Sequence, residues 1–408
     1  MPEAGGRSHF AADKAAPRRE SHLMKDEPHI NSKLPDVGTT IFTVMSQMAH
    51  DHQAINLSQG YPDYDGPRAL LERLQFYAGN GHNQYAPLAG IPALREQIVR
   101  KVERHYGALV DANEEVTVTP GATEAIFCAV HAVVHPGDEV IMFDPVYDCY
   151  DPAVRLAGGV PVHLVLPAPG FGIDWAAVRQ ALTPRTRAII VNTPHNPTGS
   201  VLSAADIATL TEIAERHDLF VISDEVYEHL VFDRRRHESV LRHERLRRRS
   251  FAIFSFGKTY HVTGWKTGYC IAPPALTREL RRVHQFVAFV AFTPVQYALA
   301  DFMAACPEHL DELPAFYERK RDRFNAALAG SRFRFSPSAG TFFQLVDYGA
   351  ISDAEDLEVV RWLTQEIGVA AIPMSVFYKT PPGDRYVRFC FCKEDATLDR
   401  AAAILGGL

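Results

Sequence analysis

The chain has 408 residues, a length that suits two or three domains rather than one small core. Its content of 47% apolar and 22% charged residues is that of a soluble globular protein. A formal net charge of -7 argues against nucleic-acid binding, and no apolar run is long enough to span a membrane. The six cysteines form no CxxC pair, so we expect a cytoplasmic protein without a metal site or disulfide framework.

The first 32 residues are predicted to be a disordered tail. Residues 1–30 are rich in Ala, Arg, Glu, Asp and Pro and lack the apolar centre of a signal peptide. Acidic residues such as Glu3 and Asp13 argue against an organelle-targeting peptide. Residues 33–60 follow as an N-terminal segment, predicted to hold a short helix and a short strand and to pack on a small C-terminal domain.

Two loops that combine aromatic and polar residues come next. Gly60 and Tyr61 follow the first strand, and Tyr85 lies in a second loop. Each loop taken alone fits an ordinary turn. Residues 116–125 then indicate a strand, a tight glycine turn and a helix start, with Thr123 as the predicted N-cap. Such a helix start can bind phosphate, although this junction is common in proteins.

Strands alternate with helices between residues 116 and 256. This pattern predicts a mainly parallel sheet with helices on both faces. Polar motifs follow the predicted strands that end at Phe143, Val191, Ser223 and Phe254. Ligands of such sheets bind beyond the carboxyl ends of the strands, so these motifs predict one shared site.

Beyond residue 268 the pattern changes to long helices and a few strands, typical of a smaller α+β domain. The predicted helices and strands are helices 276–289, 294–305, 308–328, 354–367 and one from residue 395, and strands 332–335, 341–346, 369–372 and 386–391. We therefore expect an α/β protein with a large domain over residues 61–300 and a small domain over residues 301–408.

The stretch from residue 255 to residue 268 carries Ser255, Lys258 and Lys266 after a predicted buried strand. A desolvated amine near a second cation loses its proton readily and becomes a nucleophile toward aldehydes. A serine hydroxyl and a second lysine suit a phosphate. The stretch therefore indicates pyridoxal phosphate, an aldehyde cofactor with a phosphate, but alone it fits a surface turn with two exposed lysines equally well.

Three further motifs complete a set with this stretch: residues 192–199 (NTPHNPTG), 222–227 (ISDEVY) and 386–390 (YVRFC). Together they resemble class I pyridoxal-phosphate-dependent aminotransferases of fold type I, from about residue 33 to the C-terminus. Within that family the chain is most similar to the methionine aminotransferases and to the kynurenine aminotransferase/glutamine transaminase K group. The resemblance implies a mainly parallel, seven-stranded type of sheet.

The resemblance implies a role for each matched residue around the cofactor ring. Lys258 would bond to the cofactor aldehyde and later move a proton. Asp224 would pair with the protonated pyridine nitrogen. Tyr227 and Asn196 would hydrogen-bond the ring hydroxyl group, and Tyr147 would stack on the ring. The peptide bond after Asn196 precedes a proline and is expected to be cis.

The cofactor phosphate would bind a further group of residues. By the resemblance these are Gly121, Ala122, Thr123, Ser255 and Lys266. The commonest pattern of the family has arginine where Lys266 stands, so this chain offers a point charge instead of a two-pronged donor. Tyr85 matches a tyrosine that reaches the phosphate from the neighbouring subunit, which implies a homodimer with shared active sites.

The substrate would bind through its α-carboxylate and its side chain. Arg388 would hold the carboxylate in a bidentate pair, helped by Asn196 and the Gly60 backbone. Aromatic residues would line the side-chain pocket: Tyr61, Phe286, Phe289 and Phe292. A pocket without a second cation would favour uncharged substrates such as methionine, phenylalanine, tyrosine, kynurenine or glutamine.

We therefore expect a ping-pong aminotransferase that moves the amino group of an L-amino acid to a 2-oxo acid. Two alternatives stay open. The same site could perform β-elimination from cysteine S-conjugates. A non-catalytic sensor, as in some transcription regulators, would need a DNA-binding domain ahead of the fold, and residues 1–30 are too short for one.

Overall fold

The structure is a computed structural model that describes residues 30–408, so the predicted tail lies almost wholly outside the described residues. The described strands form three sheets. Their bounds are β1 Ile55–Asn56, β2 Val116–Thr119, β3 Glu139–Asp144, β4 Val160–Val165, β5 Thr186–Asn192, β6 Phe220–Asp224, β7 Ser250–Ser255, β8 Gly268–Ile271, β9 Phe343–Asp347, β10 Val369–Ala370, β11 Ile372–Pro373 and β12 Tyr386–Cys390.

The helices lie between and around these strands. Their bounds are α1 Ile41–Asp51, α2 Arg68–Gly79, α3 Pro92–Tyr106, α4 Ala122–Val133, α5 Tyr150–Leu156, α6 Trp175–Ala181, α7 Ala204–Arg216, α8 Glu244–Arg247, α9 Phe256–Thr259, α10 Pro274–Val287, α11 Thr293–Ala305, α12 His309–Leu328, α13 Asp356–Trp362 and α14 Asp395–Leu405. In the described part of the chain, no helix combines the length and apolar character needed to cross a membrane.

The largest sheet has seven strands in the order β2-β8-β7-β6-β5-β3-β4. All neighbours pair in parallel except β8, which runs antiparallel to both β2 and β7. Alternate residues of one strand enter separate cores: Val140 and Met142 of β3 pack in one apolar cluster, and Ile141 and Phe143 in the other. The sheet is thus buried on both faces, and the predicted α/β class is confirmed.

Two smaller sheets complete the fold. Strands β11, β12 and β9 form an antiparallel sheet with β12 in the centre. Strand β1 pairs in parallel with β10, so the N-terminal segment is joined by hydrogen bonds to the C-terminal part of the chain. The domain boundaries given above stay predictions.

Two local predictions are wrong, and a third, a helix, is confirmed with a different start and geometry. Residues 332–335 form no described strand beyond one bridge between Arg334 and Asp347. The predicted strand 369–372 is two strands, because the chain leaves one sheet at Ala370 and joins another at Ile372. The predicted helix 354–367 begins at Asp356 and widens into a π-type turn over Leu363–Ile367.

Gly268 permits a close approach between the largest sheet and α4. A Cβ atom at this position would lie 2.5 Å from the Phe254 carbonyl oxygen and 2.9 Å from the Ala122 nitrogen. Both neighbours are backbone atoms that cannot rotate away. The start of α4 can therefore lie against β8 because residue 268 has no side chain.

We expect Gly268→Ala to destabilise the fold by about 1–3 kcal/mol, because the added methyl group pushes β7 and α4 apart. Urea denaturation measures the change. Gly264→Ala is the matched control, since a Cβ there meets no atom within 4 Å. Equal stability losses in the two variants would show that close packing at Gly268 is not the cause.

Candidate active site

A cavity of about 270 Å³ lies at the carboxyl ends of β5, β6 and β7. It brings together most of the predicted site residues: Gly60, Gly121, Ala122, Thr123, Tyr147, Asn196, Asp224, Tyr227, Ser255, Lys258, Lys266 and Arg388. The parallel strands explain why these residues meet, because the carboxyl ends of the strands share one edge of the sheet. Strand β12 of the small sheet adds Arg388.

The other predicted residues lie outside this cavity. The Tyr61 ring stacks over the Lys393 amine at 4.6 Å, and the Tyr61 side chain faces outward. Tyr85 is 83% exposed and packs edge-on against Phe289 with ring centroids 5.5 Å apart. Phe286, Phe289 and Phe292 are exposed as well, so these residues do not line the cavity of their own chain.

Arg388 is a buried cation without a carboxylate partner among the described residues. Its Nη1 donates to Asn196 Oδ1 at 2.7 Å, and its Nη2 donates to the Ser58 carbonyl oxygen at 2.9 Å. Its Nε has no partner, and the Phe343 ring covers the guanidinium at 3.8 Å. Burial lowers the pKa of Arg388 to about 10. Such an arrangement is suited to an anion that enters the cavity.

Lys258 lies in the short helix α9, directly after β7. Its Nζ donates to the Gly60 carbonyl oxygen at 3.1 Å. Burial lowers the pKa of the Lys258 amine, the Cys392 thiol opposes this, and the charges of Lys266 and Arg388 lower it further. A lowered pKa increases the share of this amine that is in the neutral, nucleophilic form.

Asp224 ends β6 and is 3% exposed. Its Oδ2 accepts a hydrogen bond from the Tyr150 hydroxyl at 2.6 Å, and its Oδ1 accepts one from the Val226 N–H at 3.2 Å. Burial raises the pKa of Asp224 to about 6. The carboxylate has no ion-pair partner among residues 30–408, so it can accept a cation from a bound molecule.

Hydrogen bonds connect the ends of β5 and β6 to Arg388. Asn192 Nδ2 donates to the Asp224 backbone oxygen at 2.9 Å, and the Asn196 N–H donates to Asn192 Oδ1 at 2.7 Å. Asn196 Oδ1 is the acceptor for Arg388. The predicted cis bond between Asn196 and Pro197 is confirmed. One polar chain therefore fixes the relative positions of the carboxylate and the guanidinium.

The start of α4 forms one wall of the cavity. The helix begins at Ala122 and its N-cap is Gly121, with φ of 86°, so the prediction of Thr123 as N-cap is wrong. Glycine takes this position because L side chains rarely adopt that φ. Ser255 and Lys266 line the same wall. The first N–H groups of a helix have no intrahelical acceptors, so this wall is suited to a phosphate.

Sequence reasoning missed several residues of the site. Phe42 of α1 and Phe343 of β9 line the cavity next to Arg388. Tyr150 contacts Asp224 from α5. Phe42 and Phe343 lie in stretches with the apolar pattern of a core, and Tyr150 lies between Cys149 and Asp151 outside the motifs described above. No sequence pattern therefore marks these three positions as functional.

Comparison with known proteins identifies the class. The family model described as aminotransferase class I and II matches residues 52–405. The chain belongs to this family, which is pyridoxal-phosphate-dependent, and it is a transaminase. The resemblance and the fold type I class are confirmed, and the sensor alternative is set aside.

Individual relatives show which members of the family this chain is similar to. The methionine aminotransferase of Escherichia coli (strain K12) is 53% identical over 380 residues, which cover 93% of this chain and 98% of that protein. Human kynurenine–oxoglutarate transaminase 3 is 33% identical over 403 residues, with 91% and 89% covered. The crystal structure of YbdL from Escherichia coli, reported to have a methionine aminotransferase function, matches with a TM-score of 0.92 at 53% identity, with 94% and 100% covered.

The raised pKa of Asp224 predicts a pH-dependent stability. The pKa in the folded chain, about 6, exceeds the ordinary value of 3.8. Ionising the carboxyl therefore costs the cofactor-free fold stability as the pH rises from about 4 to about 6, and the cost is complete above that range. We expect cofactor-free Asp224→Asn to be more stable than the parent at pH 7.5, by about 1–3 kcal/mol, and to match it at pH 4.

Urea denaturation of the cofactor-free proteins at both pH values measures this difference. Asp384→Asn is the control, because Asp384 is exposed and should leave the difference near zero at both pH values. If Asp224→Asn raises the free energy of unfolding equally at pH 4 and pH 7.5, ionisation of Asp224 is not the cause.

Proposed function

We propose that this transaminase binds pyridoxal phosphate in the cavity and moves the amino group of an uncharged L-amino acid, methionine or an aromatic one, to a 2-oxo acid. The observation that carries the proposal is the unpaired, buried guanidinium of Arg388 in the same cavity as the buried amine of Lys258. An amino acid substrate would pair its carboxylate with Arg388 and place its amine beside Lys258, where transamination would take place.

The residues of the cavity fit the cofactor at both of its ends. The free N–H groups of Ala122 and Thr123, the Ser255 hydroxyl and the Lys266 amine supply donors for a phosphate. At the other end, the Asp224 carboxylate is available to a cationic ring nitrogen. When bound, the cofactor supplies an electron sink for the charge that develops on the substrate Cα.

Lys258 and Arg388 divide the remaining work. Lys258 Nζ would hold the aldehyde of the cofactor, and the lowered pKa of this amine suits it to take the proton from the substrate Cα. Arg388 binds the α-carboxylate through Nε and the free hydrogens of its terminal nitrogens. Holding the carboxylate orients the Cα–H bond, which lowers the entropic cost of proton transfer.

The cavity lining supports an uncharged substrate side chain. Its described cations are Lys258, Lys266 and Arg388, and each already has a role in this proposal. Phe42 and Phe343 supply apolar surface next to Arg388. A side-chain carboxylate would meet no second arginine there. The names of two relatives, a methionine aminotransferase and a kynurenine transaminase, support this class of substrate.

A panel of amino donors with one fixed 2-oxo acid tests the substrate class. We expect kcat/KM for methionine, phenylalanine and kynurenine to exceed that for aspartate and lysine by about tenfold or more, because a buried charge without a partner is costly. Arg388→Ala should raise KM for all donors alike. Arg323→Ala, an exposed arginine paired with Asp399, should leave KM unchanged. A preference for aspartate would contradict the proposal.

We also propose that the active enzyme is a homodimer. Tyr85, Phe286, Phe289 and Phe292 form an exposed group of large aromatic side chains, here called the aromatic patch. Such a patch marks an interaction surface. The family's pattern assigns Tyr85 to the phosphate of the neighbouring site, and the exposure of its ring leaves it free to reach outward. Tyr85 of the partner subunit would then complete each phosphate site.

Mixing two defective variants tests the shared site. Lys258→Ala alone should give no turnover, and Tyr85→Ala alone should bind the cofactor weakly. After mixed refolding, about half of the dimers are hybrids with one native site, so about a quarter of the wild-type activity should return at limiting cofactor. The control mixes Lys258→Ala with the double variant of both changes, which can form no native site. No recovery in the first mixture would contradict shared sites.

A further inference from the structure

Tyr150 is joined to Asp224 by a short hydrogen bond inside the protein. The hydroxyl of Tyr150, the first residue of α5, lies 2.6 Å from Asp224 Oδ2 at the end of β6. The two side chains are 4% and 3% exposed. The bond joins residues 74 positions apart in sequence, so it depends on the packing of α5 against the sheet.

The direction of this hydrogen bond is defined by chemistry. Burial raises the pKa of Tyr150 well above its ordinary value, so the hydroxyl stays protonated. An ionised carboxylate can only accept, and therefore Tyr150 donates. The Val226 N–H donates to the other oxygen of Asp224. With one donor on each oxygen, rotation of the carboxylate is fixed, and its remaining lone pairs are available on the cavity side.

We propose that Tyr150 is a positioning residue, whose hydroxyl orients the Asp224 carboxylate and stabilises its ionised form for pairing with a cationic ring nitrogen. This rests on the proposed binding of pyridoxal phosphate beside Asp224. A carboxylate that is ionised and correctly oriented before the cofactor arrives needs no reorganisation when the ion pair forms.

The other groups around Asp224 act in different ways. The titratable and charged neighbours that face it are Tyr147, Cys149, Tyr150, Glu225 and Lys258. Burial raises the pKa of both Tyr147 and Cys149, so these two are neutral. The charge of Lys258 favours the ionised form of Asp224, and that of Glu225 opposes it. The Tyr150 hydroxyl can therefore be deleted without changing any charge near the carboxylate.

Tyr150→Phe separates positioning from packing. The tyrosine ring packs in the apolar cluster beside α4 and lies 5.8 Å from the Tyr147 ring, and phenylalanine keeps these contacts. Only the donor to Asp224 is lost. The carboxyl of the variant should therefore ionise at a higher pH, because the removed hydrogen bond lowers the pKa of Asp224.

Equilibrium dialysis measures the dissociation constant of pyridoxal phosphate and the initially cofactor-free protein. The pH is varied between 5.5 and 8.5, roughly the range over which the site titrates. In the parent protein, affinity should fall as the pH drops through about 6, where Asp224 takes up a proton. In Tyr150→Phe the midpoint should move up by about one pH unit, so affinity should be about threefold weaker at pH 6.5 and nearly tenfold weaker at pH 5.5. At pH 8.5 the two proteins should converge. In steady-state assays near pH 7, kcat should fall while KM, which depends on Arg388, stays nearly constant.

Two controls decide between positioning and a general effect. Tyr348→Phe removes an equally buried hydroxyl that donates to the Ala354 carbonyl oxygen at 3.0 Å, and it should keep the parent profile. In an Asp224→Asn background, Tyr150→Phe should cause no further shift, because the group it acts on no longer titrates.

An unchanged profile in Tyr150→Phe, or an equal shift in the Asp224→Asn background, would overturn the positioning role while leaving the proposed function intact. Failure of the parent protein to bind pyridoxal phosphate at every pH would overturn the proposed function and this inference together.

Discussion

The buried, uncompensated guanidinium of Arg388 is the constraint on which the rest of the site depends. It is held by neutral acceptors only, the Asn196 side chain and the Ser58 carbonyl oxygen, and is covered by an aromatic ring. Folding must therefore accept a charge whose natural partner is absent until substrate binds. The buried carboxyl of Asp224 has the same character with the opposite sign. Both buried groups destabilise the fold, and both can pair with a charge of opposite sign on a bound ligand.

The sheet topology explains how such distant residues meet. The parallel strands β5, β6 and β7 place Asn196, Asp224 and Lys258 along one edge, although they are far apart in sequence. The central strand of the small sheet adds Arg388, and β1 brings the Gly60 carbonyl through its pairing with β10. Arg388 lies within β12, Asp224 ends β6 and Lys258 lies in the helix directly after β7. Regular elements hold the geometry of these three residues more tightly than a free loop would.

Sequence reasoning found the polar residues of this site together with Tyr147 and Tyr227, and it missed Phe42, Phe343 and Tyr150. Asn196, Asp224 and Lys258 could be predicted, because polar residues after buried strands have no role in a core and the parallel-sheet rule gathers them. Phe343 could not, since an aromatic residue in an apolar stretch fits a core equally well. Tyr150 could not, because its contact with Asp224 depends on how α5 packs against the sheet. The fold class followed from strand–helix alternation. Predicted element bounds were wrong where tertiary contacts decide them. One example is the point after Ala370, where the chain leaves one sheet and joins another.

The carbonyl oxygen of Ser58 has a consequence for how this enzyme is explored by mutagenesis. It is a direct partner of Arg388, yet it belongs to the backbone, and the Ser58 side chain itself bonds only locally to Asn56 Oδ1. Alanine scanning changes side chains and leaves every peptide carbonyl in place, so it does not detect the hydrogen bond from Arg388 to the Ser58 carbonyl oxygen. Replacing the peptide bond after Ser58 with an ester, which weakens the carbonyl as an acceptor, would expose a functional group that no side-chain library can reach.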